Sequence, residues 1–295
     1  MNKTPTIRLS NGVELPLLGL GVYLSSPKDT ANAVQSAVAS GYRLIDTAAA
    51  YGNEREVGEG IARGAVPRDE LFVTTKLWIS DYGYDAALRA FDVSVNKLGV
   101  EYLDLYLLHW PVPSSWNETI AAWQAAKKLL ADGRVRAIGV CNFTEPRLTA
   151  LIAATGVTPA VNQVELHPYF AQRSLREVHA RLGIATQAWS PIGGIFTNHP
   201  RDPERITRLL DDRVLTEIAA RTGKTPAQVV LRWHIQNGVS AIPKSIHPER
   251  IASNIDIFDF ELSETDMASI ATLDTNRRNG PDPEAFDLAF LEART

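Results

Sequence analysis

Eight short runs of apolar and β-branched residues, alternating with helical stretches, limit what this chain can fold into more than any other feature. They are LLGLG at 17–21, YRLID at 42–46, LFVTTK at 71–76, LDLYLLHW at 103–110, RAIGV at 136–140, AVNQVE at 160–165, ATQAWS at 185–190 and VSAIPK at 239–244. Strand and helix signals that alternate in this way describe βα units, and eight such strands close a parallel (β/α)8 TIM barrel. The competing architecture is an open doubly wound sheet, which carries a glycine-rich phosphate turn after an early strand. GLGVYL at 19–24 and GEGIAR at 58–63 are the nearest approaches, and neither completes G-x-G-x-x-G.

The stretches between the runs carry helix start and stop signals. Asn53 with Glu56 suits a capping box ahead of a 54–63 helix, and Ser40-Gly41 suits a helix end before the second run. Between Asp85 and Leu98, the residues Ala87, Phe91, Val95 and Leu98 form one apolar face. Thr225-Pro226 opens a helix whose Val229, Val230 and Trp233 continue that pattern. Ahead of the first run, TIRLSNGVELP alternates around Asn11-Gly12 and reads as a hairpin outside the main fold. The stretch 190–211 is too long for an ordinary connection, and long loops in compact domains cover sites. No linker or shift in composition marks a boundary, so residues 1–295 are expected to form one domain.

Composition narrows the function classes. The 295 residues are 45% hydrophobic and carry a formal charge of −4 with no basic block, which points away from nucleic acid and anionic membranes. No apolar run is long enough to span a bilayer, and MNKTPTIRLSNG lacks a signal-peptide core, so the expected location is cytoplasmic. The single cysteine, Cys141, excludes an intramolecular disulfide and reads as a small buried residue. Neither H-E-x-x-H nor G-x-S-x-G occurs, and no metal site is expected.

Four residues stand at or just past strand ends that one barrel would bring to a single face: Asp46, Tyr51, Lys76 and His109. Three of them have an ordinary structural reading: a turn aspartate, an exposed or half-packed tyrosine, a core histidine. Lys76 weighs against that, because an ammonium ending the apolar run LFVTTK is costly to bury without a carboxylate, and Asp46 on the next strand can supply one. A charged Lys76 beside the Tyr51 hydroxyl would lower the phenol below its reference of about 10, making it a usable acid, with His109 orienting a carbonyl. Near the other end, IPKSIHPERIASN places Lys244 and Ser245 after the last run and Arg250 and Asn254 on one helix face. The two readings there are a solvated basic edge and a phosphate site.

These motifs together resemble the aldo-keto reductase family. LGLGVY, GYRLIDTAAAYGNEREVG, LFVTTKLW, LDLYLLHWP, IGVCNF, PAVNQVELHP, AWSPIGG and IPKSIHPERIASNIDIFDFEL occur in the family's order from about residue 5 to about 275. The resemblance implies a TIM barrel with an N-terminal β-hairpin and NADPH-dependent reduction of aldehydes or ketones. It makes Tyr51 the proton donor, Lys76 and Asp46 its tuning pair and His109 the orienting group. It assigns Asn142 and Gln163 to the nicotinamide carboxamide, Trp189 to stacking on the ring, and Ser190, Ile192 and Gly194 to the pyrophosphate. Lys244, Ser245, Arg250 and Asn254 fall to the adenosine 2′-phosphate and adenine, and Gly21 and Val22 to a loop under the cofactor. Tyr23, Trp78 and Trp110 are implied substrate walls for a small carbonyl compound, and the expected state is a monomer.

Some positions depart from the family pattern. Cys141 stands where many members carry serine, and Ser253 where an acidic residue often meets the adenine, so weaker cofactor affinity is expected. Trp189 replaces the more frequent tyrosine, as in bacterial members resembling the diketogluconate reductases. The segment after Asp274 varies most among members and borders the pocket. Two rivals accompany the reductase reading: an NADPH-binding redox sensor or partner subunit with little turnover, and a lyase or isomerase using Lys76 as a Schiff-base amine.

Overall fold

The computed structural model describes residues 4–193, 209–287 and 289. Strands β1 (Thr6–Arg8) and β2 (Glu14–Pro16) pair as an antiparallel hairpin whose turn holds Gly12 at φ 86°. Eight parallel strands follow: β3 (Leu20–Gly21), β4 (Leu44–Asp46), β5 (Phe72–Leu77), β6 (Leu103–Leu108), β7 (Val135–Cys141), β8 (Val161–Glu165), β9 (Ala185–Trp189) and β10 (Ser240–Ala241). Each hydrogen-bonds to the next in chain order. Parallel bridges Leu18–Ala241 and Gly21–Lys244 join the first strand to the last and close the barrel.

Closure leaves little room. A Cβ on Gly21 would lie 2.9 Å from the Ile242 carbonyl oxygen, so a glycine is needed where the two backbones meet. The hairpin seals the N-terminal end of the barrel. Its Leu9 and Leu15 pack with Leu44, Phe72, Leu105 and Leu107 of the barrel interior, and Asn11 Nδ2 donates to the Arg136 carbonyl. Near the start of β6, the buried Asp104 accepts from Arg68, Arg136 and the Val73 N–H, which satisfies a charge that could not be buried alone.

Ten helices are present among the described residues, and those bounded by clear sequence signals fall where expected. Helix α1 (Pro27–Ala39) ends at Ser40-Gly41, and α2 spans Glu54–Arg63. Helix α3 (Tyr84–Leu98) buries Ala87, Phe91, Val95 and Leu98. Next come α4 (Trp116–Ala131), α5 (Glu145–Thr155), α6 (Arg173–Leu182) and α7 (Arg213–Thr222). Thr225 caps α8 (Pro226–Gln236) in a complete capping box with Gln228. Helices α9 (Pro248–Ile255) and α10 (Glu264–Ala271) complete the set. The Asn53 capping box is corrected. The Asn53 side chain makes no cap hydrogen bond; it turns inward to Thr47 Oγ1, Thr30 Oγ1 and the Val22 carbonyl. Tying three buried polar groups together outweighs one cap bond in a helix entry that is itself buried. The proposed cover at 190–211 falls largely on residues 194–208, outside those described.

Two buried histidines report on the helix layer. His179 of α6 accepts from Asn162 Nδ2 and donates through Nδ1 to Thr186 Oγ1, while His234 of α8 donates to the Pro191 carbonyl. Burial, assisted by Arg176, holds the His179 pKa down at about 4, and burial carries that of His234 down to about 3. The unfolded chain therefore binds more protons than the folded one below about pH 6.5. Urea melts are expected to show stability falling as pH drops from about 6.5 to about 4, with His179 responsible for about 3 kcal/mol. A His179→Gln variant, melted alongside, should lose that part of the slope.

Candidate active site

The C-terminal ends of the parallel strands share one face, and the four candidate residues meet there. Asp46 ends β4, the chain passes through Thr47 and Ala48, and a single 3-10 turn over Ala49–Tyr51 carries the tyrosine back over the strand ends, with Gly52 in the left-handed region at φ 68°. Lys76 lies one residue from the end of β5, and His109 follows β6, its N–H bonded to the Leu77 carbonyl. Lys76 is fully buried. Its ammonium donates to Asp46 Oδ1 at 2.5 Å, the Thr47 carbonyl at 2.9 Å and the Tyr51 hydroxyl at 3.4 Å. All three donors of the ammonium are used, so the burial that threatens the charge is compensated.

Electrostatics follow from that packing. Burial opposes the Lys76 ammonium, but the Asp46 carboxylate, with Tyr51 and Cys141, holds its pKa above the usual lysine value. Burial raises the Asp46 carboxyl above its ordinary value, and Lys76 and Gln163 oppose that rise and favour the ionised form. The expectation of a lowered phenol is reversed here: burial dominates at Tyr51 and pushes its pKa up to about 12, with Lys76 acting in the opposite direction. A phenol in that state keeps its proton throughout the neutral range. Burial and the Lys76 charge hold the His109 imidazole well below its ordinary value, so it is neutral, and its Nδ1 has no partner among the described residues. The site thus holds one ammonium, one carboxylate, one protonated phenol and one neutral imidazole.

Around this centre stand the other candidates. Asn142 follows β7 at φ 62° and Ser190 follows β9 at φ 47°, both in left-handed backbone that side chains seldom adopt. Asn142 Nδ2 donates to the His109 carbonyl and its Oδ1 accepts from Trp189 Nε1, which fixes the indole at the mouth. Gln163 Nε2 donates to Asp46 Oδ2 and to Gln187 Oε1. Tyr23 lies 5.0 Å from the Tyr51 ring, and Trp78 lies 5.0 Å from His109. Trp110 is buried and stacks on Phe286 at 3.9 Å. The Val22 side chain is in the core, and its carbonyl accepts from Asn53 and Ser25. Ser190 and Ile192 are half-buried at the start of the loop, and Gly194 lies outside the described residues.

The family model described as "Aldo/keto reductase family" matches residues 18–275. The chain belongs to the aldo/keto reductase family. It is 58% identical over 288 residues to morphine 6-dehydrogenase of Pseudomonas putida, covering 97% of each chain. It is 46% identical to glyoxal reductase of Bacillus subtilis, covering 95% of this chain and 96% of the other. Among solved structures, a Gox0644 variant in complex with NADPH superposes with a TM-score of 0.89 at 42% identity, covering 97% of this chain and 100% of that one.

A dinucleotide with a 2′-phosphate fits the donor set of this family member. Lys244 and Arg250 are exposed cations with no ion-pair partner among the described residues, flanking the buried Ser245 and Asn254. At the mouth, Asn142 keeps one N–H beyond its bond to His109, and among the described residues Gln163 Oε1 meets only the weak thiol donor of Cys141, at 3.9 Å.

Several contributors escaped sequence reasoning. The Thr47 carbonyl and Gln187 act through backbone position and register, though a polar residue inside the run ATQAWS was a visible signal for the latter. Phe286 sits in the segment expected to border the pocket, but nothing in the local pattern singled it out. Glu165, fully buried, accepts from the Asn279 and Gly280 N–H groups and so fastens that segment beside Trp189.

The buried pair has a measurable signature. Lys76→Met should destabilise the protein by about 3–5 kcal/mol in urea unfolding, because it strands the Asp46 charge. The double variant Asp46→Leu/Lys76→Met should recover most of that loss, since apolar groups replace both charges.

Proposed function

We propose that the protein reduces aldehydes or ketones to alcohols with Tyr51 as the proton donor. The protein is an NADPH-dependent oxidoreductase, and NADPH supplies the hydride when bound. The observation that carries the proposal is the contact of Lys76 Nζ with both Asp46 and the Tyr51 hydroxyl, on a face shared with His109.

In this reading the substrate carbonyl oxygen rests against the Tyr51 hydroxyl and the His109 ring. Tyr51 gives its proton to that oxygen as negative charge develops there. A phenolate forming in a buried site is costly, and Lys76, already charged and 3.4 Å away, stabilises it as it appears. Asp46 keeps the ammonium charged and in place. His109 remains neutral; a buried bare N–H is worse tolerated than a bare lone pair, which puts the ring proton on Nε2 and leaves it to donate to the carbonyl. Asn142 and Gln163 hold the carboxamide, and Trp189 stacks on the ring. Lys244, Ser245, Arg250 and Asn254 take the 2′-phosphate and adenine, and their positive charge supports a preference for NADPH over NADH. Tyr23, Trp78, Trp110 and Phe286 make the substrate wall aromatic, which favours planar or aliphatic carbonyl compounds over highly charged ones.

Tyr51→Phe is expected to lower kcat for aldehyde reduction by at least about a thousandfold, while the NADPH Kd from tryptophan fluorescence stays within about threefold. Substantial turnover by that variant would remove Tyr51 from the role. Arg250→Ala should weaken NADPH about tenfold or more and leave NADH nearly unchanged, read in the same titration.

A further inference from the structure

A line of hydrogen bonds crosses the barrel interior from the candidate active site to the N-terminal hairpin. Lys76 donates to Asp46 Oδ1, Gln163 Nε2 donates to Asp46 Oδ2 at 2.8 Å and to Gln187 Oε1 at 2.7 Å. Gln187 Nε2 donates to Ser240 Oγ at 3.2 Å, and the Ser240 hydroxyl donates to the Pro16 carbonyl at 2.9 Å. Gln163, Gln187 and Ser240 stand in register on β8, β9 and β10, and Gln187 and Ser240 are fully buried.

Chemistry fixes the direction of this line. An ionised carboxylate at one end and a backbone carbonyl at the other can only accept. The Gln163 atom facing Asp46 must therefore be its nitrogen, and Ser240 must spend its proton on Pro16. Gln187 then has one arrangement that satisfies both neighbours: oxygen toward Gln163, nitrogen toward Ser240. Both Gln163 N–H groups are consumed, and its Oε1 is turned away from Asp46, toward Cys141. The thiol is too weak a donor to occupy that oxygen.

We infer that Gln187 is a positioning residue that locks the Gln163 amide so that its oxygen is presented to the nicotinamide carboxamide. The inference rests on the reading that Gln163 receives that carboxamide. Gln187 itself touches neither cofactor nor substrate; it acts by removing the alternative rotations of Gln163, each of which would leave a buried N–H bare or turn an oxygen toward the Asp46 carboxylate.

The test compares NADPH with adenosine 2′,5′-bisphosphate, which shares the phosphate end and lacks the nicotinamide, by fluorescence or calorimetric titration of the full chain. Gln187→Met keeps the side-chain length and removes both hydrogen bonds. It should raise the NADPH Kd about tenfold while leaving adenosine 2′,5′-bisphosphate within about twofold. Ser240→Ala cuts the next link and should give the same split at smaller size, which serves if Gln187→Met does not fold. Unchanged NADPH affinity, or equal weakening of both ligands, overturns the inference. Gln163→Met separates the two readings. If it too leaves NADPH affinity intact, the carboxamide assignment has failed; if it produces the split and the Gln187 and Ser240 variants do not, only the role of Gln187 has.

Discussion

The Lys76–Asp46 ion pair is the interaction on which the mouth of this barrel depends. An ammonium with no exposure inside strands as apolar as β5 and β6 persists only because a carboxylate, a carbonyl and a phenol accept its three hydrogen bonds. That requirement places β4 beside β5, sets the path of residues 47–51, and brings the Tyr51 hydroxyl over the strand ends. The same burial that makes the pair structurally necessary raises the phenol, so the tyrosine is a proton-loaded group with a counter-charge waiting beside it. Stability and chemistry are here two readings of one arrangement.

Left-handed backbone at Asn142 and Ser190 extends the arrangement sideways. Such conformations carry a cost, and they survive where surrounding contacts overdetermine them. Asn142 is gripped by the His109 carbonyl and the Trp189 indole, and the Ser190 carbonyl accepts from Gly193. The C-terminal ends of β6, β7 and β9 are thereby linked through the Asn142 side chain.

Much of this was legible in the sequence because it arises from local pattern. Apolar runs located the strands, and three- and four-residue spacing found the buried face of α3. The polar residue ending LFVTTK announced a buried charge that needed a partner. What the sequence hid arises from competition between distant groups. Asn53 looked like a cap residue, but residues 22, 30 and 47 offered it a better set of partners. The sign of the Tyr51 shift turned on how far packing around the half-buried tyrosine desolvates its hydroxyl, which no spacing reveals. Phe286 reaches Trp110 across more than half the chain, in a segment with no periodic pattern to mark it.

Barrel closure carries one further consequence. The seam joins residues near the two ends of the chain, through Leu18 with Ala241 and Gly21 with Lys244. Contacts so distant in sequence bear the largest loop-closure entropy and form slowly. Lys244 is one half of that seam and also part of the proposed phosphate site, so cofactor affinity would come into being with the last step of assembly. A chain that had folded every strand but the final pair would bring together the four candidate residues and still lack part of the proposed phosphate site.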